Sequence, residues 1–377
     1  MIARAAGRAS CVSHRHLDSQ KMRTNEHKIG FWLAGVVTVT LATTALWVYF
    51  IRVPTNVAYV SEEDGEISVI ELKSLGVVLR VHPVDVAPRG LGITYDGKYL
   101  ITSNKDTADI AVFSTPRLKL IKRMHIGDNP EFIKLDPAGD RLFATFEPGS
   151  ESGPPGADDD DQDSNEPPAQ IASFYIGDWA PGPLSTAGKE TEGLEFSPGG
   201  KFLLVANEAQ NNIGVFDENT GAHIRDIDLK SYGKRPRGIK VSPQGTSYAV
   251  TMEASGTLLT LDENFNVLKF VQTAAKPYGV AFDRSGKRIF VSAAMARKIQ
   301  VFSADTLQLL AEVPTGQRCW HFTFTPDDSK VLLACGKSNN VVVIDANAYI
   351  PIRIIEGFRT PWGIVTYPRA YGSLGLP

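Results

Sequence analysis

The sequence predicts an all-β fold, a seven-bladed β-propeller closed by its C-terminal strand and preceded by one N-terminal transmembrane helix. Two short motifs recur seven times each beyond residue 52, and a long uncharged segment precedes them. A repeat of about forty residues with several short strands is typical of a propeller blade. Apolar residues alternate along each strand, which argues against a helical solenoid. We therefore divide the chain into a cytoplasmic tail over 1–28, a transmembrane anchor over 29–51 and a propeller over 52–377.

The segment from Ile29 to Ile51 has the properties of a membrane-spanning helix. It contains 23 consecutive residues without a charge, more than the roughly 20 that cross a bilayer. Trp32, Trp47 and Tyr49 lie near its ends, where aromatic rings favour the interface. The tail before it carries six basic and two acidic residues, so we expect a single-pass protein of the inner membrane with its N-terminus in the cytoplasm and its propeller in the periplasm. A cleaved signal peptide is the alternative, although no small-residue cleavage site follows the segment.

The first repeated motif is a short apolar strand. Its seven copies begin at Ile67, Ile110, Ile171, Ile213, Leu258, Ile299 and Val341. The second motif is a strand that opens with a Pro-x-Gly-like triplet and ends in a tight turn. Its copies begin at Pro88, Pro130, Thr191, Pro236, Pro277, Cys319 and Pro361. Alternating β-branched and aromatic residues bounded by Gly, Pro, Asp and Asn predict strands joined by tight turns.

The spacing of the motifs is regular except in the third blade. The distance from the turn residue to the apolar strand is 13 residues in five of six cases, and the third blade has 19 residues more. This acidic insertion, over 148–170, is best interpreted as a solvated, disordered loop. Its candidate calcium ligands are Asp159, Asp161 and Asp163. Calcium binding stays the alternative, because Ser164 and Gln170 replace the glycine and glutamate that a calcium loop requires.

The two ends of the repeat region complement each other. The first blade starts at Val57 without a triplet strand, and the last triplet strand, from Pro361, has nothing after it to complete a blade. We therefore expect the C-terminal strand to complete blade one as its innermost strand. Cys319 and Cys335 fall on paired strands of the last repeat, where either a disulfide or two free thiols fit the sequence.

These triplets and turns resemble the YVTN-repeat, YncE-like propellers. The order of the triplets more closely resembles the β-propeller family associated with PQQ-dependent catabolism, and the segment 316–345 is especially similar. The resemblance covers residues 57–368 and departs from the family in the anchor and the acidic insertion. It implies a periplasmic accessory protein of a quinoprotein dehydrogenase system, without an agreed catalytic activity.

The triplet strand, if innermost, directs the middle residue of each triplet to the mouth of the central channel. The predicted ligand-binding funnel consists of Arg89, Glu131, Glu192, Arg237, Tyr278, Trp320 and Trp362, with His321 beside them. The predicted rim, at the ends of the second strands, consists of Glu62, Asn104, Glu147, Glu208 and Glu253. This mixture of charges and aromatic rings is typical of a selective polar site. The alternative is that these residues form ion pairs between blades and cap the channel.

The sequence favours a binding or scaffold module over an enzyme. It contains no GxSxG, SxxK, HExxH or P-loop motif, and His321 lacks an identified carboxylate partner. No cofactor is predicted, and the expected partner is a periplasmic protein or a small molecule at the funnel. The net charge of −3 and the acidic insertion argue against nucleic-acid binding. The alternative function is a hydrolase or lyase of the lactonase type with its active site in the funnel.

Overall fold

The computed structural model describes residues 55–82, 87–149 and 167–375. These residues form 28 strands in seven four-stranded antiparallel sheets, which confirms the all-β, seven-bladed propeller. The tail and the predicted anchor over 29–51 lie outside the described residues. Within the described ranges, no helix is long and apolar enough to cross a membrane.

The blades are numbered in chain order and given from the innermost strand to the outermost. Blade one contains β28 (Pro361–Tyr367), β1 (Val57–Glu62), β2 (Glu66–Glu71) and β3 (Gly76–Val81). Blade two contains β4 (Pro88–Ile93), β5 (Tyr99–Asn104), β6 (Asp109–Ser114) and β7 (Lys119–His125). Blade three contains β8 (Ile133–Leu135), β9 (Arg141–Phe146), β10 (Gln170–Tyr175) and β11 (Ser185–Thr186). Blade four contains β12 (Thr191–Phe196), β13 (Phe202–Asn207), β14 (Asn212–Asp217) and β15 (His223–Asp228).

The remaining three blades follow the same plan. Blade five contains β16 (Pro236–Val241), β17 (Ser247–Met252), β18 (Thr257–Asp262) and β19 (Val267–Gln272). Blade six contains β20 (Pro277–Phe282), β21 (Arg288–Ala293), β22 (Lys298–Ser303) and β23 (Leu309–Pro314). Blade seven contains β24 (Cys319–Phe324), β25 (Lys330–Cys335), β26 (Asn340–Asp345) and β27 (Ile350–Glu356), with a short 3₁₀ turn, Gly336–Ser338, after β25.

The ring closes as the sequence predicts. Strand β28 pairs with β1 in antiparallel register, with Val57 opposite Tyr367 and Val60 opposite Ile364. The last strand of the chain therefore completes the first blade. Such closure pairs the inner edge of β1 and joins the two ends of the repeat region.

The acidic insertion and the cysteine pair can also be located in the fold. The acidic insertion connects β9 to β10, and these two strands pair with Phe146 opposite Gln170. The candidate calcium ligands Asp159, Asp161 and Asp163 lie outside the described residues. Cys319 and Cys335 lie opposite each other in β24 and β25 and form a disulfide.

The glycine at the third triplet position has a packing reason. A Cβ atom on Gly238 would lie 2.5 Å from the Tyr278 carbonyl oxygen of the next blade, and one on Gly279 would lie 2.6 Å from the Trp320 carbonyl oxygen. At these glycines the innermost strands therefore approach one another too closely for a side chain.

Two blades carry a large residue at the third triplet position. Phe132 of blade three and His321 of blade seven place their rings edge to face, with centroids 5.5 Å apart. Because these blades are not neighbours in the ring, the two side chains meet inside the central channel.

Candidate functional site

Aromatic side chains from four blades close the middle of the channel. The ring of His321 lies 4.3 Å from that of Trp362, 5.2 Å from that of Tyr278 and 5.5 Å from that of Phe132, measured between centroids. All four residues are buried. Burial, with the nearby Arg237 charge, holds the pKa of His321 well below its usual range, so the imidazole is neutral at pH 7.

The four aromatic side chains form a plug in the channel. The mouth lies above this aromatic plug, on the face where the innermost strands begin, and it contains a first charged cluster. Arg89 donates from Nε to Glu63 Oε1 at 2.8 Å and from Nη1 to Asn129 Oδ1 at 3.2 Å, and it also contacts the Glu131 carboxylate. These partners come from blades one and three, on either side of Arg89. The guanidinium is only 2% exposed, so this cluster ties three blades together at the mouth.

The second cluster is built around Arg237 in blade five. Its Nη1 lies 2.6 Å from Glu253 and 3.0 Å from Glu208, and its Nη2 contacts the Glu192 carboxylate. The same guanidinium stacks over the Tyr278 ring at 4.2 Å. Arg89 and Arg237 are thus both engaged in ion pairs between blades, which is the contact pattern that the capping alternative describes.

Between the two clusters, several carboxylates crowd together. Glu147 accepts hydrogen bonds from Asn129 Nδ2 at 2.8 Å and from the Thr191 N–H at 2.9 Å. Burial, followed by repulsion from Glu131, raises the pKa of Glu147 to about 8. Burial likewise raises the pKa of Glu192 well above its usual range, although Arg237 opposes the shift. This part of the mouth therefore retains protons near neutral pH.

Glu208 joins the acidic region to the arginines. It contacts Arg235 as well as Arg237, and Arg235 also lies 3.0 Å from Glu190. Burial raises the pKa of Glu208 to about 7, because the cost of desolvation exceeds the effect of the two guanidinium groups. Glu253, which Arg237 also contacts, has its pKa lowered: there the cations outweigh burial.

The rim matches the predicted residues in blades three to five and differs by one residue in blades one and two. The residue that follows the second strand donates its backbone N–H to the stretch just before the triplet in every blade. These seven residues are Glu63, Lys105, Glu147, Glu208, Glu253, Ala294 and Gly336. Glu147, Glu208 and Glu253 thus occupy the rim, whereas blades one and two contribute Glu63 and Lys105.

The residues predicted for the rim in those two blades lie one position earlier. Glu62 ends β1, and its carboxylate accepts hydrogen bonds from Ser68 Oγ and from the Arg359 N–H, both at 2.5 Å. Asn104 ends β5 and donates to Asp109 Oδ1 at 2.7 Å. Both side chains are fully buried. Strand alternation directs them away from the mouth.

The two tryptophans of the predicted funnel are packing residues on the channel side of the mouth. Trp362 is fully buried against His321, and Trp320 is 3% exposed. The Trp320 ring covers Gly336, where even a Cβ atom would overlap the indole. The indole therefore fills the space that a rim side chain occupies in blades three to five.

A charged cluster that was not predicted from the sequence lies at the far end of the channel. Lys134 Nζ lies 3.1 Å from the Glu195 carboxylate, and Lys240 Nζ lies 3.3 Å from it. All three side chains are almost completely buried. Both ammonium groups also donate to the Gly375 carbonyl oxygen, at 3.2 Å and 2.9 Å. The three residues share one repeat position, two after the third triplet residue, which is the signal that could have revealed them.

Within the described ranges, no group of three or more His, Cys, Asp or Glu side chains is arranged to hold a metal ion.

Comparison with known proteins finds one family model that matches part of the chain. Residues 180–282 match the family model described as "Lactonase, 7-bladed beta-propeller". This match covers β11 of blade three, the whole of blades four and five, and β20 of blade six. It therefore includes Glu192, Glu208 and Arg237. No curated protein matches the chain.

Several solved structures share the fold at low sequence identity. A protein of unknown function from Desulfotomaculum acetoxidans DSM 771 is 15% identical with a TM-score of 0.70, covering 82% of this chain and 98% of that one. The periplasmic gluconolactonase of Pseudomonas aeruginosa is 15% identical with a TM-score of 0.66, covering 82% and 98%. A putative 6-phosphogluconolactonase from Bacteroides uniformis ATCC 8492 is 16% identical with a TM-score of 0.66, covering 83% and 100%.

These comparisons correct the functional expectation. The expected binding or scaffold module that is not an enzyme is overturned by the match to a lactonase family model, and two of the similar structures carry lactonase names as well. The findings favour the alternative, an enzyme of the lactonase type. They also support a β-propeller family in general.

Proposed function

We propose that the protein is a lactonase-type hydrolase with its active site at the channel mouth. The observation that carries the proposal is the pair of buried carboxyl groups of Glu147 and Glu208, with pKa values of about 8 and about 7. General acid–base catalysis is most effective with groups that exchange protons near the working pH. Arg237 lies 3.0 Å from Glu208 and supplies a cation where negative charge can develop.

The proposed reaction uses these groups in two steps. The Glu208 carboxylate accepts a proton from water as the water oxygen bonds to the lactone carbonyl carbon, and Arg237 stabilises the negative charge on the carbonyl oxygen. The Glu147 carboxylic acid then donates its proton to the ring oxygen as the ring C–O bond breaks. The product is a hydroxy acid. Transfer of a proton from Glu208 to Glu147 restores the starting state.

Access to these groups is through the outer layer of the mouth. Glu147 and Glu208 are covered by other side chains, whereas the side chains of Glu63, Glu190 and Arg235 keep 20%, 24% and 20% exposure. A substrate therefore meets Arg235 first and has to displace part of its contacts with the carboxylates. A small lactone with hydroxyl groups can replace such contacts by its own hydrogen bonds.

Titration of the acid released from a panel of small lactones tests the proposal directly. The full chain should release acid faster than spontaneous hydrolysis, and Glu208→Gln should lower the rate by about 100-fold or more. Glu218→Gln is the matched control, because Glu218 also pairs with an arginine, Arg141, but follows the end of β14 at the opposite face. A panel without any turnover above the spontaneous rate would exclude the proposal.

Two further proposals concern the setting of this activity. The triplet order supports a place within the YVTN-repeat propellers, nearest the family associated with PQQ-dependent catabolism. The uncharged segment 29–51 supports an anchor that holds the propeller in the periplasm, where it would act on extracytoplasmic lactones. Alkaline carbonate extraction should leave the full chain with the membrane, and release into the supernatant would contradict the anchor.

A further inference from the structure

Residues 369–375 enter the channel from the far end and lie along β24. The Phe324 N–H donates to the Tyr371 carbonyl at 2.8 Å, and the Ser373 N–H donates to the Phe322 carbonyl at 2.9 Å. Leu374 is buried in the core, and the Gly375 carbonyl receives the two lysine ammonium groups. This C-terminal tail, residues 369–375, is thus an additional layer on the inner edge of blade seven. It reaches the level of His321.

Ser373 connects the tail to the aromatic plug. Its Oγ lies 3.0 Å from His321 Nδ1, 3.0 Å from the Phe322 N–H nitrogen and 3.2 Å from the Phe322 carbonyl oxygen. A hydroxyl group has one proton and two acceptor sites. All three contacts are hydrogen bonds only if the hydroxyl donates to the carbonyl and accepts from both the Phe322 N–H and an Nδ1–H of His321.

The other ring nitrogen of His321 is buried beside a small cavity. The cavity is lined by Phe132, Arg237, Tyr278, His321 and Ser373, among others, and has room for about one water molecule. His321 Nε2 and Arg237 Nε have no hydrogen-bond partner among the described residues, and the two residues are 2% and 8% exposed. Buried polar atoms of this kind are normally satisfied by protein or by an ordered water.

We propose that Ser373 is a positioning residue that fixes His321 in the Nδ1–H tautomer, and that the cavity is a binding site for one water molecule. In this tautomer Nε2 presents a lone pair to the cavity, while Arg237 Nε presents an N–H. A water molecule satisfies both, since it donates to Nε2 and accepts from Nε–H. The tail thereby fixes the orientation of the His321 ring at the inner end of the mouth. The inference holds whether or not the mouth hydrolyses a lactone.

Nitrogen NMR of the full chain, labelled with ¹⁵N in its histidine rings, measures the tautomer. His321→Gln identifies the His321 signals by their loss. The wild type should show Nδ1 protonated and Nε2 unprotonated. In Ser373→Ala the Nδ1–H loses its acceptor, and the signals should shift towards the Nε2–H form. Ser329→Ala is the matched control, because its hydroxyl bonds to Asp327 Oδ1 in an exposed turn of the same blade, and it should leave the signals in place.

The spectra of the wild type and of Ser373→Ala can each overturn the proposal. An Nε2–H or doubly protonated His321 in the wild type overturns the proposal, as does a folded Ser373→Ala protein with an unchanged tautomer. If Ser373→Ala does not fold, the wild-type spectrum alone decides. A high-resolution crystal structure should show an ordered water within hydrogen-bonding distance of Nε2, and density for no water there contradicts the site. Neither measurement requires turnover, so their failure is distinct from failure of the hydrolase proposal.

Discussion

Replacement of Glu147 by glutamine should raise stability at neutral and alkaline pH while it removes most of the activity. Burial raises the pKa of this carboxyl group from 4.5 to about 8. The folded protein therefore keeps a proton that the unfolded chain releases, and stability falls as the pH rises from about 4.5 to about 8. At about 1.4 kcal/mol per pH unit, the full cost is about 5 kcal/mol above pH 8. Glutamine cannot ionise, and its amide oxygen can still accept from the Thr191 N–H.

Urea unfolding of wild type and Glu147→Gln at acid, neutral and alkaline pH measures this cost. The variant should unfold like the wild type near pH 5 and should be more stable by about 5 kcal/mol near pH 9. The control Glu218→Gln should instead lose stability at every pH, by about 3 kcal/mol, because it leaves the buried Arg141 guanidinium without its counter-charge. Equal stability of wild type and Glu147→Gln across the whole range would refute the assignment of a raised pKa to Glu147.

Three more predictions concern the scaffold. Gly238→Ala should lower the free energy of unfolding in urea by about 1–3 kcal/mol, because its Cβ meets a backbone carbonyl. Gly76→Ala, whose Cβ would lie 3.4 Å from its nearest neighbour, is the control. Equal losses of stability in the two variants would contradict the packing argument. Deletion of β28 should abolish the cooperative thermal transition, and an unchanged melt would disprove closure by this strand. Alkylation of the unfolded, unreduced chain should label one of three cysteines; three labels would show that the disulfide is absent.

Much of the fold follows from the repeats. The triplet strands and the apolar strands have fixed spacings, so seven blades, the innermost position of the triplet strand and the closure by β28 could all be predicted from the sequence. The C-terminal tail could not, because residues 369–375 have no alternating apolar pattern. Its position depends on hydrogen bonds to β24 and on space that Gly279 and Gly363 leave in the channel.

The candidate site was predicted in part. The middle triplet residues follow from the repeat, but Glu62 and Asn104 were placed one residue too early, because strand ends cannot be fixed to one residue from alternation alone. Glu63 and Arg89 were therefore not recognised as partners. The protonation of Glu147 could not be predicted either, since it depends on burial beside Glu131, which is a property of the assembled ring.

The pH dependence of lactone hydrolysis tests the central claim most directly. If Glu208 is the base and Glu147 the acid, kcat/KM of the full chain should follow a bell-shaped curve with limbs near the pKa values of about 7 and about 8. Glu208→Gln should lose about 100-fold or more in kcat/KM, and Glu147→Gln should remove the alkaline limb along with most of the rate. Hydrolysis no faster than the spontaneous reaction, or a rate that both variants retain, would contradict the account.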